Sequence, residues 1–311
     1  MKIIEELDFQ PNILASSLAS KKNLVFATLL PEPPSIEGYW SKPFSGILKK
    51  INEIRQYGIS IKSFTYNQLS ALSFSTEAKK ILGIHPDGVI LAPFFYKESL
   101  AFISGLKQFN IPFVFIDSEI KDAGQLCYIG QNSFRSGMVS GKLLDLLTQG
   151  EGKIMVLHFG LEMDNQNHLA QREQGFYEWF NQKGTQHRIF TFEIHDTGNS
   201  HWTELLFRKI TGENVKGIFV TNSRVYLIGQ MIQEYRLNKL KVIGHDLLNE
   251  NIEYLRDGTV DFLLCQHPEE QGYNAVNKLF RHLIEKQEVE KENYTSIDIV
   301  TKETIDFYKE F

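Results

Sequence analysis

The chain reads as an α/β protein made of two doubly wound, parallel-sheet lobes, and three observations carry that reading. Short apolar runs alternate with helix-periodic segments from Asn23 onward, the pattern of a parallel sheet covered by helices on both faces. The runs are continuous in apolar character rather than alternating, as strands buried on both sides are. At 311 residues the chain is also too long for one typical doubly wound domain and fits two.

The runs fall at residues 24–30, 88–92, 112–116, 153–159, 217–220 and 241–244. Between them lie segments with a 3.6-residue apolar period. Phe44, Ile47, Leu48, Ile51 and Ile54 form one stripe, and Val276, Leu279, Phe280, Leu283 and Ile284 another. Asp87-Gly88, Lys183-Gly184 and Asp257-Gly258 mark turns that feed strands. The polar stretch 119–125 separates one set of four strand–helix units from a second, and another, 285–293, precedes a last strand at 294–300. A β/α barrel is compatible with the same count of units.

Hydrophobic residues make up 42% and aromatics 12% of the chain, enough for two packed cores. A formal net charge of -5 argues against a nucleic-acid-binding surface spread over the whole protein. No apolar run approaches a membrane span, and residues 1–7 are charged and amphipathic rather than signal-like, so a cytoplasmic protein with no membrane partner is expected. Cys127 and Cys265 sit in strand-like stretches without a partner at metal spacing and read as reduced, partly buried thiols. The nine histidines show no metal-ligand spacing, and the chain has no nucleophile elbow or phosphate-cradling glycine loop. No enzyme activity, metal or cofactor is therefore expected.

The residues that point to binding stand at strand ends. The run 112–116 is followed by Asp117, and in open α/β sheets the ligand crevice lies at the carboxyl ends of strands. Asp117 in that place either faces a ligand or caps the following turn. Gly38-Tyr39-Trp40 follows the first strand, and an aromatic face suits the C–H patch of a sugar ring, although Tyr39 and Trp40 would equally plug a lobe edge. Arg172, in Ala170-Gln171-Arg172-Glu173-Gln174-Gly175-Phe176, offers a fork of five donors. Asn222 in Phe219-Val220-Thr221-Asn222-Ser223 has the donor and acceptor a vicinal diol requires. Asp246 in Val242-Ile243-Gly244-His245-Asp246 can accept two charge-assisted bonds. Gln266, before His267-Pro268 and Gln271-Gly272-Tyr273, and Asn132, after Tyr128-Ile129-Gly130, complete the set of ligand-binding candidates. At the start of the chain, residues 9–20 (FQPNILASSLAS) suit a short helix with a small apolar face.

In this order the motifs resemble the LacI/GalR family of transcription regulators and the related ribose-type periplasmic sugar-binding proteins. The resemblance covers essentially the whole chain and implies a periplasmic-binding-protein-like (type I) pair of lobes joined by three crossovers. Residues 1–22 would be the remnant of a truncated DNA-binding headpiece and its hinge helix. The first lobe would hold 23–128 plus 267–293, and the second 129–266 plus 294–311. It further implies that Asn12, Ala15 and Leu18 belong to a DNA-contacting hinge, with Leu18 the apolar wedge in the minor groove. A sugar effector, operator DNA for the full-length protein and a homodimer are the implied partners. The alternative is a periplasmic-type sugar-binding protein serving transport. Ser16 stands where the family often has an arginine, which removes an implied phosphate contact. Ser118, Ser223 and His245 depart from the family pattern and point to altered specificity: a less common sugar, a sugar acid or an oligosaccharide.

Overall fold

The computed structural model describes residues 23–33, 35, 38–160, 167–198 and 201–308. The hinge stretch with Asn12, Ala15 and Leu18 lies outside the described residues. In chain order the elements of the first half are β1 (Leu24–Pro31), α1 (Ser41–Ile54), β2 (Ile59–Tyr66), α2 (Ala71–Ile84), β3 (Gly88–Leu91), α3 (Tyr96–Gln108), β4 (Phe113–Ile116) and β5 (Cys127–Gln131). Then come α4 (Ser133–Thr148), β6 (Lys153–Phe159), α5 (Asn167–Gln182), β7 (Ile189–Ile194), α6 (His201–Gly212), β8 (Val215–Val220), α7 (Val225–Tyr235), β9 (Lys241–His245), α8 (Asn249–Arg256) and β10 (Phe262–Cys265). The chain ends through α9 (Pro268–Leu283), β11 (Glu292–Thr295) and β12 (Asp298–Val300).

The strands form two open six-stranded sheets, ordered β11-β5-β4-β3-β1-β2 and β12-β10-β9-β8-β6-β7, so the α/β two-lobe reading holds and a single barrel does not. Every pairing is parallel except that of β10 with β12. Of the interior strands, β1, β3, β4, β6, β8 and β9 are those the continuous apolar runs marked, and they carry fully buried side chains, Phe26, Leu29, Ile90, Val156 and Phe219 among them. β5 and β10 are interior without having been marked by a run. The edge strands β2 and β7 are half-exposed, with sequences ISIKSFTY and IFTFEI that alternate instead of running apolar, and no run marked them.

The chain crosses between the lobes three times, after β5, after β10 and between β11 and β12. β5 and β11 lie wholly in the first sheet. The crossings therefore fall at 132, 266–267 and 296–297, a few residues beyond the expected boundaries after 128 and 293. The stretch 294–300, expected as one strand, is two strands of different sheets. Pairing explains both shifts: Glu292 is in register with Tyr128 on β5, while Asp298 is in register with Cys265 on β10. The stripe on α1 also differs in one member, since Leu48 is 52% exposed.

Each lobe carries one tight helix crossing that the second half of the chain repeats. A Cβ added to Gly46 on α1 would sit 1.9 Å from the carbonyl oxygen of Glu269 on α9, and one on Gly272 2.0 Å from that of Pro43. In the second lobe, a Cβ on Gly137 of α4 would lie 1.9 Å from the Arg172 carbonyl oxygen of α5, and one on Gly175 1.9 Å from that of Phe134. Only glycine lets the backbones approach this closely. The second crossing is also what holds Arg172 at its place beside the cleft. Among the described residues no helix is long and apolar enough to cross a membrane, and Cys127 and Cys265 are buried free thiols that burial pushes up to about 12.

Candidate functional site

Equivalent strands of the two sheets end in aspartate. Asp117 follows β4 and Asp246 follows β9, with backbone φ of 65° and 71°. That left-handed conformation costs a non-glycine residue of order 1–3 kcal/mol and persists only where the surroundings over-determine it. Here they do. The Asp117 amide donates to the Ile129 carbonyl (3.2 Å) and to Gln271 Oε1 (3.0 Å), and the Tyr128 hydroxyl donates to the Asp117 carbonyl (3.1 Å). The Asp246 amide donates to the Leu264 carbonyl (2.9 Å), and Asn251 Nδ2 donates to the carbonyls of Ser223, His245 and Asp246 at 2.9–3.0 Å.

Both carboxylates are buried and engaged. Tyr39, at the end of the β1–α1 loop, donates its hydroxyl to Asp117 Oδ1 at 2.5 Å. Gln266 Nε2, at the second crossing, donates to both Asp246 oxygens at 2.8 and 2.9 Å. Arg172, only 1% exposed, donates through Nη2 to Gln266 Oε1 and through Nη1 to the Thr221 carbonyl at 2.6 Å, while its Nε has no partner. Thr221 is in turn fixed by its hydroxyl to His158 Nδ1 (2.7 Å), and His158 Nε2 meets Glu173 Oε2 (3.0 Å). The result is a polar cluster fed by both lobes and one crossing, with two aspartates and one guanidinium at its centre and the Glu173 carboxylate at its edge.

Of the residues the sequence singled out, Tyr39, Asp117, Arg172, Asp246 and Gln266 come together. Trp40 does not. It is 3% exposed inside the first lobe's core, edge-on to Tyr39 and to Phe94 at centroid distances of 5.2 and 5.4 Å. Asn222 spends its amide on neighbouring backbone, with Nδ2 donating to the Phe159 carbonyl (2.7 Å) and Oδ1 accepting from the Arg224 amide (3.2 Å). Asn132 caps α4, accepting the Arg135 amide at 3.0 Å, and lines a cleft beside the cluster. His168, not among the ligand-binding candidates of the sequence, stacks on Phe94 of the other lobe at 5.6 Å and 21°. Its position four residues before Arg172, one turn along the same helix face, was the signal that could have found it. Gln131, next to Asn132, is a second residue the sequence reading passed over. Its Nε2 ties the first crossing to the others by donating to the carbonyls of Cys265 (2.9 Å) and Ser296 (3.2 Å).

Two clefts border the cluster. One, of about 470 Å³, is lined by Ser118, Tyr128, Gln131, Asn132, His168 and Gln171 among others. The other, of about 580 Å³, is bounded by Tyr39, Asp246, Leu247, Ile252, Tyr273 and Tyr308 among others and is more apolar. Among the described residues no group of three or more His, Cys, Asp or Glu is placed to hold a metal.

Burial pushes Asp246 up from an ordinary 3.8 to about 6, against the opposing pull of Arg172 and the bonds from Gln266 and Ser223, with Asp117 adding to the rise. Burial likewise drives His168 down to about 4 and His245 well below its ordinary value, so both imidazoles are neutral at pH 7. The folded state thus binds a proton at Asp246 more tightly than the unfolded chain does. That favours folding in full below about pH 4 and is lost as pH rises through about 6, a difference of about 3 kcal/mol. Asp246→Asn is expected to flatten this dependence. In urea titrations of the ligand-free protein, the variant should gain relative to wild type on going from pH 4 to pH 7. Parallel curves for the two proteins would refute it.

Residues 27–287 match the periplasmic binding protein domain family. The chain belongs to that family. This periplasmic binding protein domain is similar over 93% of its length, at 34% identity and a TM-score of 0.87, to all of a Bacteroides fragilis protein described as a candidate LacI transcriptional regulator. It shares the fold of the glucose-galactose binding protein GanP from Geobacillus stearothermophilus (22% identity, TM-score 0.77, 91% of this chain and 99% of that one). It also shares that of an ABC transporter solute-binding protein from Burkholderia graminis solved with D-arabinose (18%, 0.80, 93% and 100%). No curated protein sequence matches this binding domain.

Proposed function

We propose that the chain is the ligand-sensing core of a LacI-type transcription regulator and that it binds a sugar or sugar derivative between its lobes without turning it over. The observation that carries the reading is the convergence of Tyr39 and Asp117 from one lobe with Arg172, Asp246 and Gln266 from the other lobe and the crossing. Carboxylates accept hydroxyl protons, the guanidinium donates to hydroxyl oxygens, and Tyr39 supplies an aromatic edge, which together match a polyhydroxylated ring. A ring held by both lobes favours the closed arrangement. Closure shifts the first lobes of a homodimer relative to each other and so alters how their N-terminal segments meet operator DNA. Coupling of this kind amounts to ~1–3 kcal/mol and travels by rigid-body lobe rotation. The 34% identity over 93% of the chain to a candidate LacI regulator favours regulation. Likeness to transport binding proteins supports the fold and leaves delivery of a sugar to a permease as the second reading.

The test is a thermal-shift screen against mono-, di- and oligosaccharides and sugar acids, repeated with Asp246→Ala. A ligand at one hundred times its dissociation constant stabilises the fold by about 2.7 kcal/mol, and the variant should lose that shift. A hit that survives Asp246→Ala would move the site elsewhere. Hydrolysis of the hit would make Asp246, with its raised value, a general acid and replace the sensor reading with an enzyme. Genomic DNA fragments captured by the protein as encoded, with capture changed by the same sugar, separate a regulator from a transport protein.

A further inference from the structure

Resting on the sugar-binding reading, we propose that the ligand is an oligosaccharide whose second ring occupies the 470 Å³ cleft between the end of β5, the start of α4 and α5. The cleft adjoins the central cluster, since Ser118 follows Asp117, Tyr128 donates to the Asp117 carbonyl, and His168 lies one helical turn from Arg172. Its volume falls within the range of small-molecule sites.

Two lining residues carry a buried polar atom without a partner, and these call for a particular chemistry. Gln131 is 2% exposed and its Oε1 has no partner. Because Nε2 already donates to Cys265 and Ser296, the orientation of the amide is set and Oε1 is an acceptor in need of a donor. His168 Nδ1 is likewise shielded and unpartnered. Buried polar atoms left without a bond cost about 1–3 kcal/mol each, so whatever fills the cleft is selected to satisfy them. An anion offers no proton to Gln131, and an apolar group offers none to either atom. A hydroxyl donates to Gln131 and serves His168 in either tautomer, because it both donates and accepts. Lys121 and Arg135 stand at the exposed rim of the cleft with one acid, Glu119, so it is the buried Gln131 acceptor rather than the rim charge that calls for a hydroxyl.

The remaining walls are those a sugar ring uses. Phe134 and Tyr294 are 37% and 46% exposed at the cleft and offer aromatic faces, and Asn132, Asn167, Gln171 and Gln174 bring amides around them. The larger cleft is lined by Leu247, Leu248 and Ile252, and among the described residues none of the buried unpartnered atoms belongs to its lining.

The experiment is calorimetric titration with a fixed panel (glucose, galactose, xylose and arabinose, with cellobiose, maltose, lactose, xylobiose and their trisaccharides) against wild type, Asp246→Ala and the double variant Phe134→Ala/Tyr294→Ala. The expected result is a di- or trisaccharide bound about tenfold or more tighter than its constituent monosaccharides. The double variant should remove that advantage while leaving monosaccharide affinity unchanged, and Asp246→Ala should abolish both. The proposal is overturned if monosaccharides bind as tightly as longer sugars. It is equally overturned if an oligosaccharide advantage survives the double variant, which would put the second ring elsewhere. Absence of any sugar binding to wild type would instead overturn the sugar reading itself, and this extension with it.

Discussion

Arg172→Leu is expected to cost ~3–5 kcal/mol of folding stability at pH 7, because it removes one partner of a buried charged cluster and leaves the others uncompensated. Arg172 is 1% exposed, holds Gln266 Oε1 and the Thr221 carbonyl, and is the largest of the influences that oppose the rise at Asp246. Its removal should push Asp246 further up, so the deficit should shrink as pH falls and Asp246 takes a proton. Denaturant melts at pH 5 and pH 7 test both parts. A loss that is the same at both pH values would mean that the side chain acts through packing alone. Ligand binding should vanish in the same variant. Arg172→Lys should not restore it, since an ammonium cannot reproduce a fork spanning Gln266 and Thr221.

Gly137→Ala is expected to be at least as damaging as a typical overpacking change, at ~1–3 kcal/mol or more, although it adds a single methyl group. The added carbon would sit 1.9 Å from the Arg172 carbonyl oxygen, a backbone atom that cannot swing aside, and α4 and α5 would have to separate. Separation moves Arg172 itself, so the variant should lose ligand affinity as well as stability. Gly83→Ala is the control: it lies within α2, nothing stands within 4 Å of the added carbon, and a gain of up to ~1 kcal/mol follows from helix propensity. Equal effects of the two substitutions, measured as shifts in the urea midpoint, would contradict the close helix crossing.

Much of the architecture was legible because burial on both faces of a parallel sheet leaves a direct trace in sequence. β1, β3, β4, β6, β8 and β9 each appear as a continuous apolar run. β2 and β7 left no such trace because an edge strand keeps a wetter face, as the exposed Lys62 and the half-buried Phe192 illustrate. The split of 294–300 into β11 and β12 was hidden for another reason. The two strands belong to sheets formed by residues more than a hundred positions apart, and nothing local in Ser296-Ile297 announces a crossing.

The site divides in the same way. Asp117, Asp246 and Gln266 were readable because a polar residue ending or following a buried strand stands where an open α/β sheet places its ligand crevice. Trp40 and Asn222 stood in similar places, yet Trp40 turned into the first lobe's core and Asn222 toward the Phe159 carbonyl. The sequence by itself determined which residues reach the rim of the cleft, since strand ends and helix starts follow from local periodicity. The tertiary structure alone decided which of them meet, because that depends on how closely α4 and α5 pack at their glycines and where the crossings pass. Those approaches are set by backbone contact between distant segments, to which no local pattern of hydrophobicity responds.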